Sequence, residues 1–277
     1  MFKNKESIIK SLFAVSGIFT LLILVIIVGY ILINGIGNVN LEFLFSFPKE
    51  SGKTGGIFPI IVSSIYLIII TSCIAIPVGV GSAIFMSEYV ANIKFKSFFR
   101  FISQVLASIP SIIFGLFGLS FFVFYLHFGW SILSGGVILA LMAIPTVYQV
   151  SEVALQSVPD SYKEGCYGLG ANKWQCITSV ILPSAIPGIV TGIILALTRA
   201  ISEAAAVMYV VGSSMDLPTS ILDSGRPLPL HLYILASEGI SMDNANATAV
   251  VLIVIIFSIT LITNFLVNKY QNKLMGA

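Results

Sequence analysis

Two ionisable residues sit where a helix built only for stability would carry none. Arg199 and Glu203 lie four residues apart near the end of a long apolar run, 182–211. At that spacing both fall on one helical face and can pair. An ionised side chain at mid-bilayer costs about 2.5–3.5 kcal/mol on insertion scales. Pairing lowers that cost but seldom cancels it. An arginine in a pore wall suits an anion, because its planar fork can hold phosphate oxygens in two parallel bonds. Glu203 could hold Arg199 at rest and release it to substrate, or accept a proton from a hydrogen phosphate. The alternative is a structural pair that ties this run to a neighbouring helix.

Hydroxyls recur beside prolines in two other apolar runs. Ser108-Ile-Pro-Ser111 echoes Ala143-Ile-Pro-Thr146. Proline removes a backbone donor and frees a carbonyl, and nearby hydroxyls can repair the loss. Two readings stand: a pair of packing kinks, or Ser108, Ser111 and Thr146 facing a polar path.

Other chemistry is absent from the pattern. The chain has two histidines, His127 and His231, and no metal-ligand cluster or nucleophile triad. His127 beside Trp130 reads as an interfacial residue in a tight turn. Gly52-Lys53-Thr54 has the end of a phosphate-binding P-loop, but the glycine required five residues earlier is Phe47. Cys73, Cys166 and Cys176 form no Cys-x-x-Cys pair and read as reduced thiols.

These residues must be positioned by membrane helices. Of 277 residues, 57% are apolar and 9% charged, against roughly 25% charged in soluble domains. Mean hydropathy is +1.02. A net charge of +2 gives no reason to invoke nucleic acid. Six apolar runs are long enough to span: 11–33, 57–86, 101–126, 131–151, 182–211 and 247–267. Helices are expected because lipid offers no partners for bare backbone groups. The first run exceeds a signal-peptide core and no A-x-A site follows, so it reads as a retained helix. Lysine and arginine placement sets the orientation. Lys3, Lys5, Lys10, Lys94, Lys96, Arg100, Lys163, Lys173, Lys269 and Lys273 fall on one side; Lys49, Lys53 and Arg226 fall on the other. The first side is therefore cytoplasmic and holds both termini. Outside, 227–239 reads as a short helix ended by Gly239.

The cytoplasmic segment 158–183 is polar, with helix caps and glycines, and leads into the long apolar run. Pro159 ends the fourth run, and Ser161-x-x-Glu164 fits a capping box that starts a short helix near Tyr162. Gly168 and Gly170 can end it. A second short helix through Lys173 and Trp174 is expected next. Such an element is stiff enough to transmit a push. Gly188 and Gly192 beyond it form a small-xxx-small pattern for close helix packing.

This segment resembles a signature of permease subunits in binding-protein-dependent ABC importers: Glu-Ala-Ala, three residues, Gly, nine residues, Ile, one residue, Leu-Pro. Here Glu164, Gly170, Val180, Leu182 and Pro183 stand at those positions, with Gly165 and Cys166 replacing the alanines. In the family the segment is the coupling helix that docks into a groove on the ATPase. From about Gly55 to Val267 the chain is similar to the phosphate importer permeases PstA and PstC. The similarity is carried by Ser108–Gly118, the coupling segment and Gly192–Glu203. The stretch Leu228–Ala236 is closer to PstA. Ser202 stands where PstA members commonly have glycine.

The resemblance implies an all-α integral membrane fold: six transmembrane helices of the type I ABC importer permease kind, with a cytoplasmic coupling helix. It divides the chain into a first helix and external loop (1–56), a permease core (57–267) and a cytoplasmic tail (268–277). It implies a non-catalytic pore subunit for inorganic phosphate in a prokaryotic plasma membrane. The partners would be a PstC-like second permease, a PstB-like ATPase dimer inside and a PstS-like phosphate-binding protein outside. ATP and Mg would be used by the ATPase, and no cofactor by this chain. A permease for sulfate or molybdate, and an ion-gradient-driven transporter, are the alternatives.

Overall fold

The computed structural model describes residues 2–274, with side chains from 10 to 269. The Lys3, Lys5 and Lys273 side chains of the orientation argument lie outside that range. The chain is almost wholly helical. α1 (Phe2–Gly35) leads to a short α2 (Leu41–Phe45) and a two-stranded hairpin, β1 (Pro48–Lys49) antiparallel to β2 (Thr54–Gly55). α3 (Phe58–Ile84) follows and ends in a π-turn, Phe85–Tyr89. Then come α4 (Ile93–Ser108), α5 (Ser111–Gly118, extended by a π-turn to Tyr125) and α6 (Ile132–Gln156). The connection after α6 holds α7 (Asp160–Gly168), and α8 (Lys173–Cys176) follows. α9 (Leu182–Ile201), α10 (Ala205–Val210), α11 (Leu228–Ser237) and α12 (Met242–Leu274) complete the chain. The tail expected at 268–277 is helical through Leu274; residues 275–277 lie outside the described range.

Among the described residues, five helices are long and apolar enough to cross a membrane, and the α4–α5 pair would make a sixth. That pair is bent by 88°, so the third expected span, 101–126, is not one straight helix. Pro110 explains the bend. The residue before proline is pushed out of the helical region, and Ile109 is extended at φ −66° and ψ 131°. The same Ile-Pro step at Ile144-Pro145 leaves α6 unbroken. The difference is packing. Pro145 is buried and its neighbours Ala143 and Val147 pack on α3 and α9, which hold α6 helical through the proline, whereas Pro110 is exposed.

α6 is the central element, with 61% of its apolar window buried. It runs to Gln156, five residues beyond the expected 151. Gly188 and Gly192 set α9 against it: a Cβ on either would collide with Ala154 or Val150. The small-xxx-small pattern is thus a packing seam. By contrast, none of the α1 apolar window is buried. Its apolar surface is left for lipid or another chain.

Two apolar cores flank α6. One gathers Leu67, Phe114, Phe122, Leu139, Val207 and Val210 around the bent pair and α10. The other gathers Ala83, Met86, Tyr148, Leu155, Cys166, Cys176 and Ile181 at the end that carries α7.

Candidate substrate path and coupling surface

The run 182–211 was expected as one helix, and it is broken. α9 stops at Ile201, and α10 begins at Ala205. Ser202 to Ala204 lie between them, so Glu203 does not continue the face of Arg199. Its carboxylate Oε1 instead accepts hydrogen bonds from the N–H groups of Ala205 (3.0 Å) and Ala206 (3.3 Å). It satisfies donors that the first turn of α10 leaves open. Among the described residues no ion pair joins Arg199 to Glu203. The expected i,i+4 pair is therefore corrected: a capping acid and a separate arginine stand on either side of a helix break.

Arg199 occupies the last turn of α9, where the helix dipole favours a cation. Its side chain is exposed, and among the described residues no hydrogen bond or ion pair engages its guanidinium. It lines a narrow cleft with Leu139, Met142, Ala143 and Thr146 of α6, and with Ala196, Ala200 and Glu203. The space holds roughly one water molecule. Glu203 also lines a second cleft, with Ser64, Leu67 and Ile68 of α3, Ile201, Pro227 and Pro229. It is the wall between the two.

Of the three expected hydroxyls, Thr146 lies on the Arg199 cleft. Ser108 and Ser111 do not line it. Ser108 Oγ donates to the Val105 carbonyl at 2.8 Å and lies exposed at the bend, where it repairs part of the backbone that Pro110 breaks.

At the other end of α9 the coupling segment also departs from expectation. α7 starts at Asp160 with Pro159 as its N-cap, and no side-chain cap forms. Proline at that position opens the helix before Ser161, whose hydroxyl then falls inside the first turn. The capping box forms instead at the start of the next helix, α8. Asn172 Oδ1 accepts from Gln175 N–H and Gln175 Oε1 accepts from Asn172 N–H, each at 2.9 Å. The Asn-x-x-Gln spacing was the sequence signal for it. α8 is not a separate helix either. It runs through a π-turn, Ile177–Ile181, into α9, so one continuous 29-residue element spans Lys173–Ile201. Pro183 accounts for the π-turn. It lacks an N–H, and its ring would crowd the carbonyl four residues back.

The motif residues divide by exposure. Glu164 and Gly170 are exposed, with Tyr162, Tyr167, Leu169 and Trp174 around them; Leu169 is 90% exposed. Val180, Leu182 and Pro183 are half-buried, and Val180 and Leu182 pack on the core beneath α7. Gly170 takes φ +82°, a left-handed turn that ends α7, and its N–H bonds the Tyr167 carbonyl at 2.9 Å.

Two ion pairs went unforeseen because their members lie far apart in sequence. Arg100 Nε of α4 lies 2.9 Å and 3.0 Å from the two carboxylate oxygens of buried Glu152 of α6. Lys163 Nζ of α7 lies 2.9 Å from Glu88 Oε1, at the end of α3. Gly52-Lys53-Thr54 proves to be a hairpin turn and not a nucleotide loop. Asn244 Nδ2 donates to the Gly52 and Lys53 carbonyls, and Gly52 packs on His231. Among the described residues no group of His, Cys, Asp or Glu is arranged to hold a metal.

Comparison with known proteins agrees with this architecture. Residues 75–275 match the family model described as "Binding-protein-dependent transport system inner membrane component". The chain is 32% identical to the probable ABC transporter permease protein YqgI of Bacillus subtilis, over 98% of both chains. It is 32% identical to the phosphate transport system permease protein PstA of Yersinia pestis, over 83% of this chain and 78% of that one. Among solved structures, a bacterial alginate ABC transporter in complex with its pentasaccharide-bound periplasmic protein superposes with a TM-score of 0.71. It covers 95% of this chain and 94% of that one at 14% identity. The MetNI methionine ABC transporter, facing inward, gives 0.59 at 22% identity, over 78% and 94%.

Proposed function

The chain belongs to the family of binding-protein-dependent transport-system inner-membrane components, and on that premise we propose that it is a pore subunit of an ATP-driven importer of inorganic phosphate. The multi-pass permease core holds the path, and the chemistry of ATP is left to a separate ATPase, which uses ATP with Mg. The observation that carries the phosphate reading is Arg199. Its guanidinium has no ion pair among the described residues and lines a cleft beside Thr146, on the helix that begins in the coupling segment. Five donors in a fixed fork suit an oxyanion. Similarity to PstA of Yersinia pestis supports the same substrate.

In this reading Glu164 to Gly170, on α7 and the turn that ends it, contact a PstB-like ATPase dimer in the cytoplasm, with both termini on that side. The exposed Tyr162, Leu169 and Trp174 supply the apolar area such a contact needs. A PstC-like permease closes the open side of the Arg199 cleft, and a PstS-like binding protein delivers the anion from outside. The cleft is too tight for phosphate as it stands, so transport requires the helices around it to part. ATP-driven movement of α7 is the source of that parting.

The test is uptake of labelled phosphate by vesicles holding the full complex, with sulfate and molybdate as competitors. ATP-dependent uptake blocked by neither competitor, and abolished in Arg199→Ala at normal expression, is the expected result. Normal uptake by that variant removes Arg199 from the path. Preferential competition by sulfate or molybdate reassigns the substrate.

A further inference from the structure

The coupling segment is joined to α3 as well as to α9. Lys163 of α7 meets Glu88 at 2.9 Å, with side chains 24% and 6% exposed. Lys173 Nζ stands 4.9 Å above the Tyr89 ring. Ala83 and Met86, at the same end of α3, share one apolar core with Cys166 of α7 and with Cys176, Ile177 and Ile181. Three kinds of contact thus bind one helix end to one hairpin. The opposite end of α3 carries Ser64, Leu67 and Ile68, which face Glu203 across the second cleft. From 88 back to 64 is 24 residues, roughly 36 Å of helix at about 1.5 Å per residue.

We infer that Glu88 and Lys163 form a strut that delivers movement of α7 directly into α3, so that α3 is a second transmission rod to the Glu203 wall, parallel to α9. The inference rests on the coupling role proposed for α7, and adds positioning residues outside the family motif. The physical argument is burial. A surface ion pair yields under load at little cost. Glu88 is enclosed, and separating it from Lys163 strands a buried carboxylate. The pair therefore resists being pulled apart when α7 moves. The Lys173–Tyr89 contact ties the start of the α8–α9 element to the same end of α3, so the joint has a second point.

The experiment uses the chain assembled with its partner permease, ATPase and binding protein. Glu88→Gln, Lys163→Met and the exchanged pair Glu88→Lys with Lys163→Glu are compared with the unaltered complex. Phosphate taken up per ATP hydrolysed is the first readout. Each single change should lower that ratio roughly tenfold while ATPase activity persists, and the exchange should restore most of it. Spin labels at exposed Phe85 and Tyr162 supply the second readout, which needs no knowledge of the substrate. Their separation should stay constant between nucleotide-free and ATP-bound complexes, and should vary with nucleotide in Glu88→Gln. Unchanged uptake per ATP in both single variants overturns the strut. So does a label separation that already changes with nucleotide in the unaltered complex. Loss of assembly without rescue by the exchanged pair also overturns it, since that is a folding role. A complex that hydrolyses ATP but moves no phosphate counts against the phosphate reading alone, and the label separations then decide the strut.

Discussion

Glu203 Oε1 lies 3.0 Å from the backbone nitrogen of Ala205, and not against the guanidinium of Arg199 four residues earlier. The acid is spent on a helix start. Among the described residues, nothing engages the donors of the arginine at the edge of its cleft. This division assigns different consequences to the two charges.

Glu203→Ala should destabilise the protein by about 1 kcal/mol, the usual cost of a lost N-terminal cap. Glu203→Gln keeps an acceptor oxygen at the same reach and should lose only a few tenths of a kcal/mol. Thermal unfolding of the purified variants in detergent measures both. Equal losses for Ala and Gln would show that charge, not capping, is what Glu203 contributes.

At Arg199 the fork matters beyond the charge. Arg199→Lys should retain some phosphate uptake but lose at least about tenfold in apparent affinity, because an ammonium cannot make two parallel bonds. Concentration dependence of uptake is the measurement. An unaltered half-saturating concentration would mean that Arg199 acts only as a diffuse positive charge.

Gly170 sits at φ +82° with open space around it, so a side chain there meets strain and no clash. Gly170→Val should cost roughly 1–2 kcal/mol locally, re-aim the end of α7 and uncouple ATP hydrolysis from uptake. Asparagine tolerates the left-handed region and should be the milder change. Full coupling in the valine variant would argue against α7 as the contact element.

Removing Arg100 should do more damage than its partial exposure suggests. Glu152 would be left buried without its partner, at about 3 kcal/mol or more. Glu152→Gln together with Arg100→Met should recover part of the loss, since no charge is then stranded. A double-mutant cycle on unfolding free energy tests this.

On α11, burial pushes His231 down to about 4, with the nearby Arg226 charge acting in the same direction. The unfolded side chain titrates near 6.5, so between those values the unfolded chain holds a proton that the folded chain refuses. Stability is then complete above about pH 6.5 and declines toward pH 4, by about 3 kcal/mol in total. His231→Gln should flatten that decline, as read from unfolding midpoints across the range.

Much of this architecture was legible in the chain itself. Hydropathy is a sum of local transfer costs, so the apolar runs declared a membrane protein and located most of its spans. The third proved bent, and the fifth begins nine residues earlier and ends ten earlier than expected. Gly188 and Gly192 announced a tight seam, and the spacing from Glu164 to Pro183 carried the family. The helix breaks and side-chain partners were not local matters. Pro110 bends its helix and Pro145 does not, because Pro145 is buried in a segment whose Ala143 and Val147 pack on α3 and α9, whereas Pro110 is exposed. Arg199 and Glu203 share a face on an ideal helix, yet the backbone breaks between them and gives the acid to α10. Arg100 finds Glu152 across 52 positions, and Lys163 finds Glu88 across 75. A charge in a low-dielectric interior takes whichever partner the packing brings near, and only the packed helices determine which one that is.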